Sequence, residues 1–238
     1  MKRTAITGTA AIAAAVAIML SGCGSDTKTE PSASTTASKT TPTTSAKAAP
    51  SSRSKVAPRD ADAKGPNPTI ASYIAQNNIQ ETPVKRGDPG SPTIDLPVPD
   101  GWEPAGEDTP DWAYSAIVYT GPEAGEYTPS IVALVSKLTG NVDPQKIIEL
   151  APGELNNLPG WKAMNEGQVS TLGEFPAYQL GGTWTQDGQT KIVAQKTVVV
   201  PGSDGLYVLQ LNVDGLEDQA DIIGAATDVI DEQTKITP

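Results

Sequence analysis

One cysteine in 238 residues constrains this chain more than any other feature. Cys23 follows an apolar run from Ala10 to Leu20, which Lys2 and Arg3 precede. The run is too short to remain in a bilayer as a permanent helix and has the layout of a signal peptide. Leu20-Ser21-Gly22-Cys23 has the form of a lipobox. Small residues beside the scissile bond admit a signal peptidase, and only a thiol forms the thioether to diacylglycerol. Residues 1–22 are therefore expected to be cleaved off, with Cys23 as the lipid attachment. The mature chain is expected on the extracytoplasmic face of a membrane, with release to the medium as its other fate. With the thiol so committed no disulfide is available, and a folded domain has to rest on its apolar core.

The stretch from Gly24 to Pro66 cannot supply that core. It is almost wholly Ser, Thr, Ala, Pro and Lys, and Val56 is its only large apolar residue. Residues 23–66 read as a lipidated cysteine and a disordered tether, with a reach of roughly 35 Å as a random coil. No side chain ahead of Asn67 is expected to pack. Residues 67–238 are long enough for one domain that buries about two thirds of its unfolded surface. They carry 24 acidic and 8 basic residues, a net of −16, while residues 24–66 have a net of +3. An acidic domain is repelled by nucleic acid and by anionic head groups, so no nucleic-acid partner is expected and lipid makes the membrane contact.

Within the domain, strand and helix signals alternate with tight turns. Asn67-Pro68 resembles a helix N-cap ahead of Ile70, Tyr73 and Ile74. Ile94, Leu96 and Val98 alternate as an edge strand among prolines. Residues 116–119 and 131–138 read as strands, and Asp143-Pro144 caps a helix that Pro152 interrupts. Residues 178–185 and 191–200 flank Asp187-Gly188, a hairpin signal, and residues 201–205 turn the chain into a strand over 206–213. Asp214 is expected to cap a last helix with the stripe Leu216, Ile223, Ala226 and Ile230. The sum is an α+β domain, an antiparallel sheet of about six strands with helices packed on it.

Histidine is absent, which removes Ser-His-Asp and Cys-His chemistry and His-ligated metal sites. No nucleophile elbow or phosphate-cradling glycine loop is present. Asp214, Glu217, Asp218 and Asp221 crowd the start of the last helix, where they oppose its dipole rather than hold a cation. No catalytic residue, cofactor or metal is expected. The aromatic residues are the better clue. Trp102, Trp112, Tyr114, Tyr119 and Tyr127 fall within 26 residues. Each has an apolar body and a polar handle, which suits the rim of a site for a ligand of mixed character.

Four stretches carry a resemblance: residues 79–84 (IQETPV), 87–102 (GDPGSPTIDLPVPDGW), 131–161, which include DPQKIIELAPGELNNLPGW, and 229–238 (VIDEQTKITP). Together they make the chain similar to the LpqN/LpqT family of mycobacterial lipoproteins. The resemblance implies a Mog1/PsbP-like α/β/α sandwich, a class associated with binding more than catalysis. It implies a non-enzymatic module that holds an envelope lipid or glycolipid, beside a membrane transporter or another envelope protein. The alternative is a protein-interaction module or surface antigen that meets envelope or host proteins.

Overall fold

A computed structural model describes Val56, residues 65–186 and residues 188–238. Cys23, the cleavage site and the rest of the tether lie outside the described residues. Among the described residues no helix is long and apolar enough to cross a membrane.

The domain opens with α1 (Ile70–Gln76), capped by Thr69 and not by Asn67. Thr69 and Ser72 bond each other's backbone in a capping box, which releases Asn67 for another task. The Asn67 backbone N–H donates to Asn157 Oδ1 at 3.0 Å, and Asn157 Nδ2 returns a bond to the Asn67 carbonyl at 2.9 Å. Four short or mid-length strands follow: β1 (Gln80–Pro83), β2 (Thr93–Asp95), β3 (Trp102–Pro104) and β4 (Ser115–Tyr119). The edge strand expected through Val98 stops at Asp95, because Pro97 and Pro99 offer no ladder donors. The ten-residue β5 (Ser130–Thr139) leads to α2 (Pro144–Leu150), which starts as the sequence indicates, with Asp143 capping and Pro at the first position. After Pro152 comes α3 (Gly153–Asn156). A Cβ at Gly153 would stand 1.9 Å from the Pro68 carbonyl oxygen, so only glycine lets the two segments cross there.

Two short strands, β6 (Lys162–Ala163) and β7 (Gln168–Leu172), precede the three longest, β8 (Phe175–Gln186), β9 (Gln189–Pro201) and β10 (Leu206–Leu216). Gln186 stands opposite Gln189, and Gly188 has φ 80°, as a two-residue hairpin requires. Asp214 does not cap a helix. β10 keeps pairing with β9 as far as Leu216↔Lys191, which holds Asp214 and Leu216 in the strand. The last helix, α4 (Ala220–Gln233), buries Ile223, Ala226 and Ile230, and β11 (Lys235–Thr237) follows.

The sheet has nine strands where the sequence indicates about six, in the order β3-β4-β5-β10-β9-β8-β6; β2 leaves it, and β1, β3, β6 and β7 are the strands the sequence does not signal. The additional ones are short. β4 and β1 pair with successive parts of β5, and β7 and β6 with successive parts of β8. A separate two-stranded ribbon joins β11 to β2. Alternation along the long strands gives the sheet two apolar faces. Leu209, Leu211, Val213, Val198 and Val200 face α4. Val208, Leu206, Val199 and Leu138 face α1 and α2. The result is an α+β domain with helices on both faces, the α/β/α sandwich that the resemblance implies. On the second face Gln195 bonds Glu154 of α3 and its register partner Asn212, both at 2.9 Å, which satisfies the amides where the sheet is buried.

One residue of the tether does pack. Val56 is half-buried against a cluster of Ala105, Ala113, Ala116, Val118 and Val132. No helix residue belongs to this cluster, and three of its five buried side chains are alanines, which leaves room for an added isopropyl group. In the chain from Gly24 to Pro238, Val56→Asp is expected to cost about 1 kcal/mol, roughly half the value of burying a valine. That corresponds to a fall of about 2–4 °C in the thermal midpoint. An unchanged midpoint by circular dichroism would show that Val56 contributes nothing to the core.

Candidate functional site

The face toward α4 is not evenly filled. Ala133 of β5 sits between its register partners, Ser115 on β4 and Leu211 on β10, and Gly181 of β8 stands opposite Ala194 of β9. Where these small residues floor the sheet, α4 spans empty space. A hollow of about 410 Å³ lies over Ala133, Ser115 and Ile117, and one of about 240 Å³ over Gly181 and Ala194. Ile131, Leu211 and Ile230 line both, so the two hollows adjoin and together form a cleft beneath the helix. The larger hollow alone falls in the size range of small-molecule sites.

Each end of the cleft has a different character. The larger hollow opens between residues 96–98, Pro104, Thr109, Tyr114 and Arg86, and Val98 at this lip is 48% exposed. At the other end Lys196 and Asp231 pair at 2.6 Å, with Lys196 buried. A Cβ on Gly181 would lie 3.4 Å from that of Ala194, an ordinary contact, so any longer side chain there would enter the hollow.

Of the five aromatic residues expected to form a rim, Trp102, Tyr114 and Tyr119 are buried in one core cluster, while Trp112 and Tyr127 lie outside it. Tyr114 lines the larger hollow, and its hydroxyl accepts the Ile94 N–H at 3.4 Å. Trp112, two residues earlier, is 45% exposed. Trp102 and Tyr119 are register partners of β3 and β4 and pack edge to face in the core, ring centroids 5.6 Å apart. The Tyr119 hydroxyl donates to Glu123, a bond that raises the phenol's pKa and holds the Glu123 carboxyl below its usual value. Tyr127 stands elsewhere, its hydroxyl donating to Asp214 and accepting from Lys191 Nζ at 2.9 Å. Inward positions on adjacent strands explain the Trp102–Tyr119 pair.

The residues that shape the cleft escape a search for chemical side chains, because Ala133, Gly181 and Ala194 carry almost none. Their signal in the sequence is lack of bulk on the face toward α4: Ala133 and Ala194 lie in strands otherwise rich in Val and Ile, and Gly181 in a strand of larger aromatic and polar residues. Among the described residues no three or more acidic, Cys or His groups gather where they could hold a metal ion.

Fold and cleft define a class: an α/β/α sandwich domain with a cleft under its last helix, mainly apolar at its larger end, and an N-terminal segment of lipoprotein sequence ahead of the domain. The family model described as "Probable lipoprotein LpqN" matches residues 66–237, and the chain belongs to that family. Lipoprotein LpqN of Mycobacterium tuberculosis is 54% identical over 233 residues, 97% of this chain and 98% of that one. The crystal structure of LpqN from that organism, described as involved in cell envelope biogenesis, matches with a TM-score of 0.69 and 54% identity, covering 73% of this chain and 100% of its own. That crystallised chain corresponds in extent to the domain alone, which is therefore a folded unit in the relative. The yeast Ran-binding protein Mog1p is 16% identical, with a TM-score of 0.38 over 65% of this chain and 90% of that one.

Proposed function

We propose that this chain is a non-enzymatic binding module of the cell envelope, which takes the alkyl chain of an envelope lipid or glycolipid into the cleft beneath α4. The cleft carries this reading. Its larger hollow is lined mainly by apolar side chains and opens at the lip where Val98 is exposed, and such a shape accepts a flexible chain at low cost in reorganisation. The reported involvement of LpqN in envelope biogenesis and the lipobox of this chain agree with it. Anchored on the extracytoplasmic face through Cys23, the domain would receive lipid from, or present it to, a membrane transporter or an assembly protein.

Each buried methylene contributes about 0.8 kcal/mol before ordering costs, so affinity for alkyl glycosides should rise about fourfold per added carbon until the cleft is full. Calorimetric titration of the chain from Gly24 to Pro238, with detergents kept below their micellar concentration, measures this. In Ala133→Phe the ring should occupy the larger hollow and weaken binding more than tenfold. It should leave the fold intact, since the added bulk enters space already empty. Affinity that ignores chain length, or survives Ala133→Phe, would discard the cleft in favour of a protein-interaction module.

A further inference from the structure

The larger hollow has one charged residue in its lining, and the sign of that charge is opposite to that of the domain around it. Acidic residues outnumber basic ones three to one between Asn67 and Pro238, and Arg86 is the only arginine there. It stands at the open lip with its guanidinium carbon 5.3 Å from the centroid of Tyr114, a ring that itself lines the hollow. Lys137, Lys146, Lys191 and Lys196 all lie within ion-pair distance of carboxylates. Lys85, next to Arg86 in sequence, donates to the carbonyls of Asp111 and Ala113. Among the described residues Arg86 has no such carboxylate. Contact with the tyrosine face orients a guanidinium while leaving its N–H edge open, and that edge matches two oxygens of a carboxylate or phosphate. Behind it the wall is Leu96, Ile117, Ile131, Ala133, Leu211 and Ile230, which offers a head group nothing but supports an alkyl chain.

We infer that the cleft is built for an anionic amphiphile, whose oxyanion head is bound by Arg86 and whose chain runs beneath α4. This rests on the reading of the cleft as an alkyl-chain site. The net charge of −16 in residues 67–238 sharpens selectivity, because an anion is repelled by the domain at large and is held only where the arginine and the apolar wall act together.

The test compares decyl phosphate, decanoate and decyl glucoside by calorimetry, all below their micellar concentrations, on the chain from Gly24 to Pro238. The two anions carry the same chain length as the glucoside and differ from each other in head group, so they also separate a phospholipid from a fatty-acid source. At least one anion should bind about tenfold more tightly than the glucoside. Arg86→Gln should erase that advantage, bringing the anions level with the glucoside measured on the same variant, and Arg86→Lys should retain part of it. Arg86 is exposed, so these substitutions spare the core. Equal binding of all three ligands, or an anion advantage that survives Arg86→Gln, would overturn the assignment while the alkyl-chain reading stands. Failure of all three to bind would remove both.

Discussion

Cys23→Ser is expected to release this protein from membranes almost completely. A serine hydroxyl cannot form the thioether, no helix among the described residues is long and apolar enough to cross a bilayer, and the acidity of the domain repels anionic head groups. Lipoprotein anchoring carries more than one acyl chain, and stable residence depends on that number, since a single chain binds only weakly and reversibly. The mutant should be found in the medium or as unprocessed precursor, with almost none in carbonate-washed membranes. Recovery in washed membranes at the native level would mean that another part of the chain supplies the anchor.

The second large effect concerns packing, and it contrasts two isoleucines. Ile147 of α2 is 0% exposed and wedged against the face of the sheet carrying Leu138, Val199 and Val208. Ile147→Ala is expected to cost about 4 kcal/mol, the transfer of three carbons plus the cavity left in a packed layer. Ile230 of α4 is also buried, but it borders both hollows and therefore has empty space on two sides. Ile230→Ala should cost about 2 kcal/mol and merge the hollows into one longer cleft. Urea denaturation of the two variants and the native chain measures the difference. Equal losses would show that the sheet and α4 pack as tightly as the opposite layer, leaving no cleft to occupy.

Much of this architecture is legible in the sequence. Runs rich in Val, Ile and Leu mark β4, β5, β9 and β10, Asp143-Pro144 marks the start of α2, and Asp187-Gly188 places the hairpin between β8 and β9. These signals are local, and local chemistry decided them. The misreadings occurred where two local rules competed for one residue. Asn67 is a good cap, but Thr69 has Ser72 to complete a reciprocal pair, and Asn157 offers Asn67 better partners. Asp214 precedes a helical pattern, yet β9 supplies a ladder partner for two more residues. The four-residue β1 and the two-residue β6 have no pattern of their own and exist because β5 and β8 extend beyond their other neighbours. The cleft was the least legible part. It is made by what Ala133, Gly181 and Ala194 lack, and that acquires meaning only once the register sets them opposite one another beneath a helix.

The ribbon of β2 and β11 has a kinetic consequence. Ile94 pairs with Ile236, and closing so long a loop costs more chain entropy than any of the hairpins that build β8, β9 and β10 from sequence neighbours. The hairpin stack can assemble from contacts near in sequence. α4 docks on β10 through Ile223, Ala226 and Ile230, whereas the β2 strand that leads to the lip is tied down by the final residues. The lip of the cleft therefore carries the contact with the largest closure cost in the domain's ribbon, and by that cost it is expected to order after the hairpin stack.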